Sequence, residues 1–364
     1  MNRFKITGFV AGFILMIPLF VAAQFTESKQ IIKRYKISPE TRVEITNKYG
    51  NIKINTWEKD SAVFEIKIRV EDKKLSRLEK QISGIDFDFI NSQHFIIARS
   101  KVGENRSTLE KEVLNFKETV LQADGKIEID FTVWMPKTNQ LKVENKFGDI
   151  YVDDYLGDID ISLSNGNLKA HDFEGETNLK LSFGDATINQ MKTGKLDCNY
   201  SDVFIKRADK LQFISKSSDI EITEINEINA DSRRDKFRIQ IIDILVAKGS
   251  FSNYRISEIT NNLNLKTEYG DLDIGKVMPG FKSVYVESKS TDINLSFSEK
   301  SEFGFEITHT KTQTNFCTKM DIKKEEVLDE KEKKVKLTGN FGAIIKPAKL
   351  FINAAGGTIS VRDF

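Results

Sequence analysis

The sequence has almost no cysteine, little proline and no long apolar run beyond its first two dozen residues. Cys198 and Cys317 alone cannot build the disulfide framework that holds small secreted domains together. Five prolines among 364 residues exclude a proline-rich linker protein. No segment after residue 23 approaches the roughly 20 apolar residues of a membrane-spanning helix, so no transmembrane segment is expected there. Neither charge dominates: 55 basic and 54 acidic residues are interspersed, so no global field draws nucleic acid or anionic lipid. The motifs of chemistry are missing too. His94, His171 and His309 stand far apart without ligand spacing, and there is no nucleophile elbow, phosphate loop or paired-cysteine motif. No catalytic residue and no cofactor is expected.

The chain's first residues read as an address. Arg3 and Lys5 precede an apolar stretch from Gly8 to Leu19, and Val21-Ala22-Ala23 offers a small-residue cleavage site before Gln24. This is the pattern of a secretory signal peptide over 1–23. No cysteine lies near the cleavage site, which argues against a lipoprotein anchor. The expectation is export to the periplasm, the cell surface or the medium.

What the sequence does have is an internal repeat. A turn element recurs at Gly148, Gly166, Gly184, Ser201, Ser218, Asp235, Ser252, Gly270 and Thr291, in steps of 17 or 18 residues and a last one of 21. Four apolar columns keep register with it. Five residues before the turn stand Val143, Leu179, Phe213 and their equivalents; two after it, Ile150, Val203 and Phe237; four after it, Val152, Ile205 and Ile239; seven after it, Tyr155, Phe173 and Ile225. Spacing of two is strand alternation with one face buried. Each run is too short to hold a core alone, so consecutive units must stack. The period is too short for a propeller blade, and no helical periodicity separates the strands. The fold expected is all-β: a single-stranded parallel β-solenoid with coils of 17–18 residues. In this register Cys198 points inward, several coils from Cys317, and at about 4.8 Å per coil the two are too far apart for a disulfide.

The flanks depart from the period. Val43 to Ile54 restates the repeat, which is then interrupted. Asp72 to Ser83 places Leu75, Leu78 and Ile82 at helical spacing, and Glu104 to Asp124 reads as a polar loop. Residues 24–140 are expected to form a β-rich N-terminal cap carrying a short helix, and 141–364 the solenoid. A charge run near 319–336 reads as a solvated hairpin, with a partner-binding arm as the functional reading. Ala354 to Val361 restates the turn and is expected to close the stack.

Three features could bind something. Asp149, Asp185, Asp202, Asp219, Asp271 and Asp292 follow the turn as an acidic column. Each is expected to accept backbone N–H bonds in its own turn, although Asp185, Asp202 and Asp219 are candidates for Ca²⁺ through oxygen ligands. Tyr49, Phe147, Phe183, Tyr200, Phe251, Tyr269 and Phe341 precede the turn as an aromatic column, expected to fill or cap the core, with glycan binding as the alternative. Arg233, Arg234, Asp235 and Lys236 replace the usual turn with a polar cluster, the first place to look for a binding site.

Val43 to Trp57, the Asn145-Lys146-Phe147-Gly148-Asp149-Ile150 motif and the closing Gly356-Gly357-Thr358-Ile359-Ser360-Val361 resemble the bacterial DUF4097 "putative adhesin" family. The resemblance spans nearly the whole chain after residue 23 and implies a β-solenoid of the cell envelope. Its motifs are turns and strands, so it transfers no catalytic residue. The function expected is a non-catalytic adhesin-like or scaffold module whose partner is an envelope protein or a glycan. A carbohydrate-active β-helix enzyme, with carboxylates converging from adjacent coils, is the alternative, and a signalling partner of membrane regulators a third reading.

Overall fold

A computed structural model of the protein describes residues 24–103, 125–343 and 348–364. The signal-peptide reading of 1–23 and the polar loop over 104–124 lie outside the described residues, as do residues 344–345 of a short strand expected over 343–345.

The repeat folds as its columns require. Successive coils pair in parallel and in register, so that Val203 lies on Ala186 and under Ile220, and Phe213 lies between Leu196 and Ala230. Each coil is two short strands meeting at a sharp corner, the turn element, and joined on the far side by a gentler bend. That bend takes up the odd residues as register shifts, between Phe173 and Glu176 and between Ile242 and Ile244. All twenty-three described strands hydrogen-bond into one continuous sheet wrapped around a single core. Every residue of the four apolar columns is buried, from Val143 and Ile150 to Val286 and Ile293. Burying one such Ile or Leu side chain contributes about 1.5–3 kcal/mol, and no coil can do this without its neighbours.

Both ends of the stack depart from sequence order. Arg42–Tyr49 and Ile52–Trp57 form a coil that lies against Leu141–Phe147 and Ile150–Val152 on one side. On its other side it carries Phe95–Val102 and Gly125–Pro136. At the far end Lys349–Ala355 and Thr358–Asp363 lie against Ser283–Phe297, and the earlier strands Phe303–Thr310 and Gln313–Phe316 stack outside them. The final coil is therefore slotted in as the last but one, where the sequence led us to expect it at the end. A repeated motif marks membership of the stack and says nothing about rank within it. Twelve corners stack in all among the described residues, and eleven steps of about 4.8 Å make a rod about 53 Å long.

Antiparallel strands close both ends. At the N-terminal end Ser61–Asp72 pairs with Gly125–Pro136, and Phe25–Lys36 pairs with Ser61–Asp72, while Ile85–Asn91 pairs with Phe95–Val102. The short helix forms over Leu75–Ser83, burying Leu78. Its start is tied by buried Asp72, which accepts the Lys74 amide at 2.9 Å and pairs with Arg77 at 3.2 Å. At the C-terminal end the charge run is a hairpin of Met320–Asp329 and Lys334–Phe341 laid antiparallel on Phe303–Thr310. Charged side chains on its outer strand, Lys323 to Glu326, blunt the open edge. Phe341 is not on the corner at all: it packs at 4.8 Å on Phe303 in a buried cluster with Phe281 and Phe297.

Candidate functional site

The corner is where the structure departs most from sequence alternation. Phe183 has the same parity as Leu179 and Leu181, which are buried, so period two turns it inward. Instead its φ is +56°, and the left-handed backbone swings the ring outward. Tyr200, Phe251 and Tyr269 do the same at φ of 53–56°. These rings are 60%, 48%, 52% and 42% exposed, so of the two roles expected for the aromatic column, filling or capping the core, these four rings do not fill it. A left-handed conformation costs a residue with a Cβ about 1–2 kcal/mol, and asparagine, as at Asn165 in the same column, bears it more cheaply. A bulky ring in this conformation, facing water, is the kind of local strain that collects at functional sites.

The exposed rings come in parallel stacks, coil on coil. Phe183 lies on Tyr200 at 5.2 Å and 2°, Phe251 on Tyr269 at 4.9 Å and 14°, and Tyr49 on Phe147 at 5.7 Å and 11°. Lysines lie over four of these rings: Lys216 over Tyr200 at 5.8 Å, Lys289 over Tyr269 at 5.9 Å, Lys146 over Phe147 at 5.6 Å and Lys48 over Tyr49 at 4.8 Å. In the first two coils the positive φ falls on Gly50 and Gly148 instead.

The acidic column next to the corner has two roles that the sequence did not separate. Where the corner residue is glycine, the carbonyl of the coil below occupies the place of its Cβ: an added Cβ on Gly166 would meet the Gly148 oxygen at 2.1 Å, and on Gly184 the Gly166 oxygen at 1.9 Å. That carbonyl is then turned away from the next amide, and an Asp or Asn side chain accepts the bond. Asp149 Oδ1 accepts from the Asn167 amide at 2.8 Å, Asn167 Oδ1 from Asp185 at 3.3 Å, and Asp292 Oδ1 from Thr358 at 2.9 Å. Where the corner is serine or aspartate, the backbone carbonyl accepts directly, as Ser201 does from Asp219 at 3.0 Å. The bonds thus run between coils, which corrects the expectation that each Asp accepts backbone N–H bonds in its own turn. Asp185 and Asp202 have no such task, and Asp219 is held by Arg238 at 2.8 and 2.6 Å. Asp185, Asp202 and Asp219 do stack in register, yet among the described residues no group of three Asp, Glu, His or Cys is placed to hold a metal ion.

The polar cluster at 233–236 divides in two. Asp235, at 1% exposure, sits inside the corner where its column neighbours Ser218 and Ser252 are also buried. It accepts the Ser215 hydroxyl at 2.7 Å and the amides of Ser218 and Arg233 at 2.8 and 2.9 Å. Burial pushes its carboxyl above the usual range against the pull of those three bonds. Arg233, Arg234 and Lys236 are exposed, and none has an ion-pair partner among the described residues. They belong to the corner between the Phe183–Tyr200 and Phe251–Tyr269 stacks.

Elsewhere there is less. The three histidines stay apart: His94 and His171 are exposed, and burial lowers the pKa of half-buried His309. Cys198 is buried and Cys317 half-buried, and both are free thiols. A cavity of about 280 Å³ opens at the N-terminal end between Phe25–Lys36 and Ile85–Asn91, lined by Ile31, Ile68, Ile82, Ile85, Phe87 and Phe89 with Lys29, Lys33 and Asp86 at hand.

No curated protein is similar enough in sequence to match the chain. Among solved structures it is similar to a "putative adhesin" from Bacteroides fragilis (11% identity, 92% of this chain and 97% of that one, TM-score 0.29). Another "putative adhesin", from Parabacteroides distasonis, has 8% identity over 92% and 97% of the chains, with a TM-score of 0.33. A "putative lipid binding protein" from the same organism has 8% identity over 74% and 93%, with a TM-score of 0.34. The DUF4097 toastrack family model matches residues 115–342, which is more than half of the sequence. On that match, the chain belongs to the DUF4097 toastrack family.

Proposed function

We propose that this protein is a non-catalytic, exported interaction module of the bacterial cell envelope, adhesin-like in action, which binds its partner along the corner of the solenoid. The observation that carries the reading is the set of solvent-facing aromatic stacks at the corner, held in a backbone conformation that costs stability. A stack of parallel strands in register lines its corners up as a long ridge, which suits an extended partner better than a small molecule, whose sites are concave. The family match and the names of the similar structures agree with this reading in kind.

The test is adhesion itself. Cells expressing the protein are fractionated and then scored for attachment to immobilised mucin and for clumping with one another. Protein found outside the cytoplasm, with attachment that falls when Phe183, Tyr200, Phe251 and Tyr269 are all replaced by alanine, supports the reading. Cytoplasmic retention, or release of new reducing ends or unsaturated products from a polysaccharide panel, overturns it.

A further inference from the structure

The same corner indicates the chemical class of the partner, and this inference rests on the reading of the protein as an interaction module. Each ring stack covers one face of each member. Lys216 and Lys289 lie over the outer faces of Tyr200 and Tyr269, so the open faces are those of Phe183 and Phe251, which are also the two most exposed rings. Four coil steps separate them, about 19 Å along the rod. Of the three corners in between, the first carries Tyr200, stacked on Phe183, and the other two carry no ring. They present Ser217 and Arg234 at the left-handed position, with Lys216 and Arg233 in register just before it and Asp219 and Lys236 in register just after it. Asp219, the carboxylate next to these two corners, is half-buried and already taken by Arg238. What remains is a patch of unpaired cations flanked by two aromatic platforms on one straight edge.

This combination selects among ligands. Aromatic faces take up the apolar C–H faces of pyranose rings, and unpaired cations call for an anionic group. The flanking column adds Asp185 and Asp202 beside the first platform and Asp271 beside the second. Carboxylates there repel the closely spaced phosphates of a nucleic acid but accept hydrogen bonds from sugar hydroxyls. A ligand must therefore be long, ring-built, rich in hydroxyls and only intermittently negative. We propose that the corner binds an acidic polysaccharide laid along the rod, with sugar rings stacked on Phe183 and Phe251 and carboxylates meeting Arg233, Arg234 and Lys236.

Affinity electrophoresis and calorimetry of the purified protein, in EDTA to prevent calcium gelling, test this with alginate and hyaluronate as probes and with neutral dextran and poly-glutamate as comparators. The expected result is retardation by an acidic polysaccharide, weakened at least tenfold in F183A/F251A and again in R233Q/R234Q/K236Q, with melting temperatures within a few degrees of the parent. Three results overturn it: no retardation by either acidic polysaccharide, equal retardation by poly-glutamate that F183A/F251A leaves intact, or equal binding of dextran. Polysaccharide binding without cell adhesion would sink the adhesin reading and leave this inference standing. No retardation by either acidic polysaccharide, with adhesion that still falls when all four rings are replaced by alanine, would do the reverse.

Discussion

The hydroxyl of Ser215 donates to Oδ2 of Asp235 at 2.7 Å across one coil of the stack, with both residues buried. Around it the amides of Ser218 and Arg233 complete the carboxylate's partners. An acid held here has a raised pKa in the folded chain. Its stabilising effect is thus full below the unfolded value of about 3.9 and declines as pH rises through the folded value.

Asp235→Ser is therefore expected to cost less than about 1 kcal/mol at pH 7, since serine fills the same place at Ser218 and Ser252 and can still accept the Ser218 amide. The gap should widen in favour of the parent as pH is lowered from 7 toward 4. Asp235→Leu, which leaves the hydroxyl and both amides without an acceptor, is expected to cost about 2–4 kcal/mol. Urea unfolding at pH 4, 5.5 and 7 reads all three, and a gap that narrows toward pH 4 would contradict the assignment.

The two roles of the acidic column make a paired prediction. Asp149→Ala removes the acceptor of the Asn167 amide and the partner of the Tyr151 hydroxyl, and should lower stability by about 1–2 kcal/mol. Asp202→Ala, one column position but three coils away, should change it by less than about 0.5 kcal/mol. Equal effects in chemical denaturation would show that the distinction between glycine and serine corners has no energetic meaning.

Arg234 occupies the left-handed corner position with φ +60° and no ion pair among the described residues. Replacing it with asparagine, the residue at the equivalent Asn165, should raise stability by about 0.5–1 kcal/mol through relief of backbone strain. Calorimetric melting of Arg234→Asn checks this, and a lower melting temperature would mean that the arginine has a partner that stabilises the fold.

Burial, with Asp197 and Asp235 near, pushes the Cys198 thiol up to about 12. It should not react with a thiol reagent at pH 8 until the chain unfolds, whereas half-buried Cys317 should react slowly in the native state. One thiol titrating under native conditions and two in guanidinium is the expected count. Two fast-reacting native thiols would place Cys198 outside the core.

How much of this the amino-acid string revealed depends on whether neighbours in sequence are neighbours in space. The columns through Val143, Ile150, Val152 and Tyr155 could be read because each coil repeats the same local alternation. Phe183 could not: parity turns it inward, and only a single backbone dihedral reverses it. The burial of Asp235 did leave a trace, since the residues above and below it in the column are small serines suited to an inward position. The order of the terminal coils left none, because Gly50 and Gly357 carry the same turn chemistry at any rank in the stack. The aromatic stacks likewise needed the corner's geometry before Phe183, Tyr200, Phe251 and Tyr269 could be recognised as one surface.

The tucked-in terminal coils also bear on how the rod responds to force. In an ordinary stack a tug on either end peels one coil at a time, each step breaking a single ladder of hydrogen bonds. Here residues 349–363 are gripped on both sides, by Ser283–Phe297 and by the strands from Phe303 to Phe316, and residues 42–57 are gripped in the same way at the other end. Withdrawing either coil means shearing two ladders together, with no partial release between. The chain is locked like a rope whose ends have been passed back under its own turns, and it should hold under tension that would unravel a simple coil.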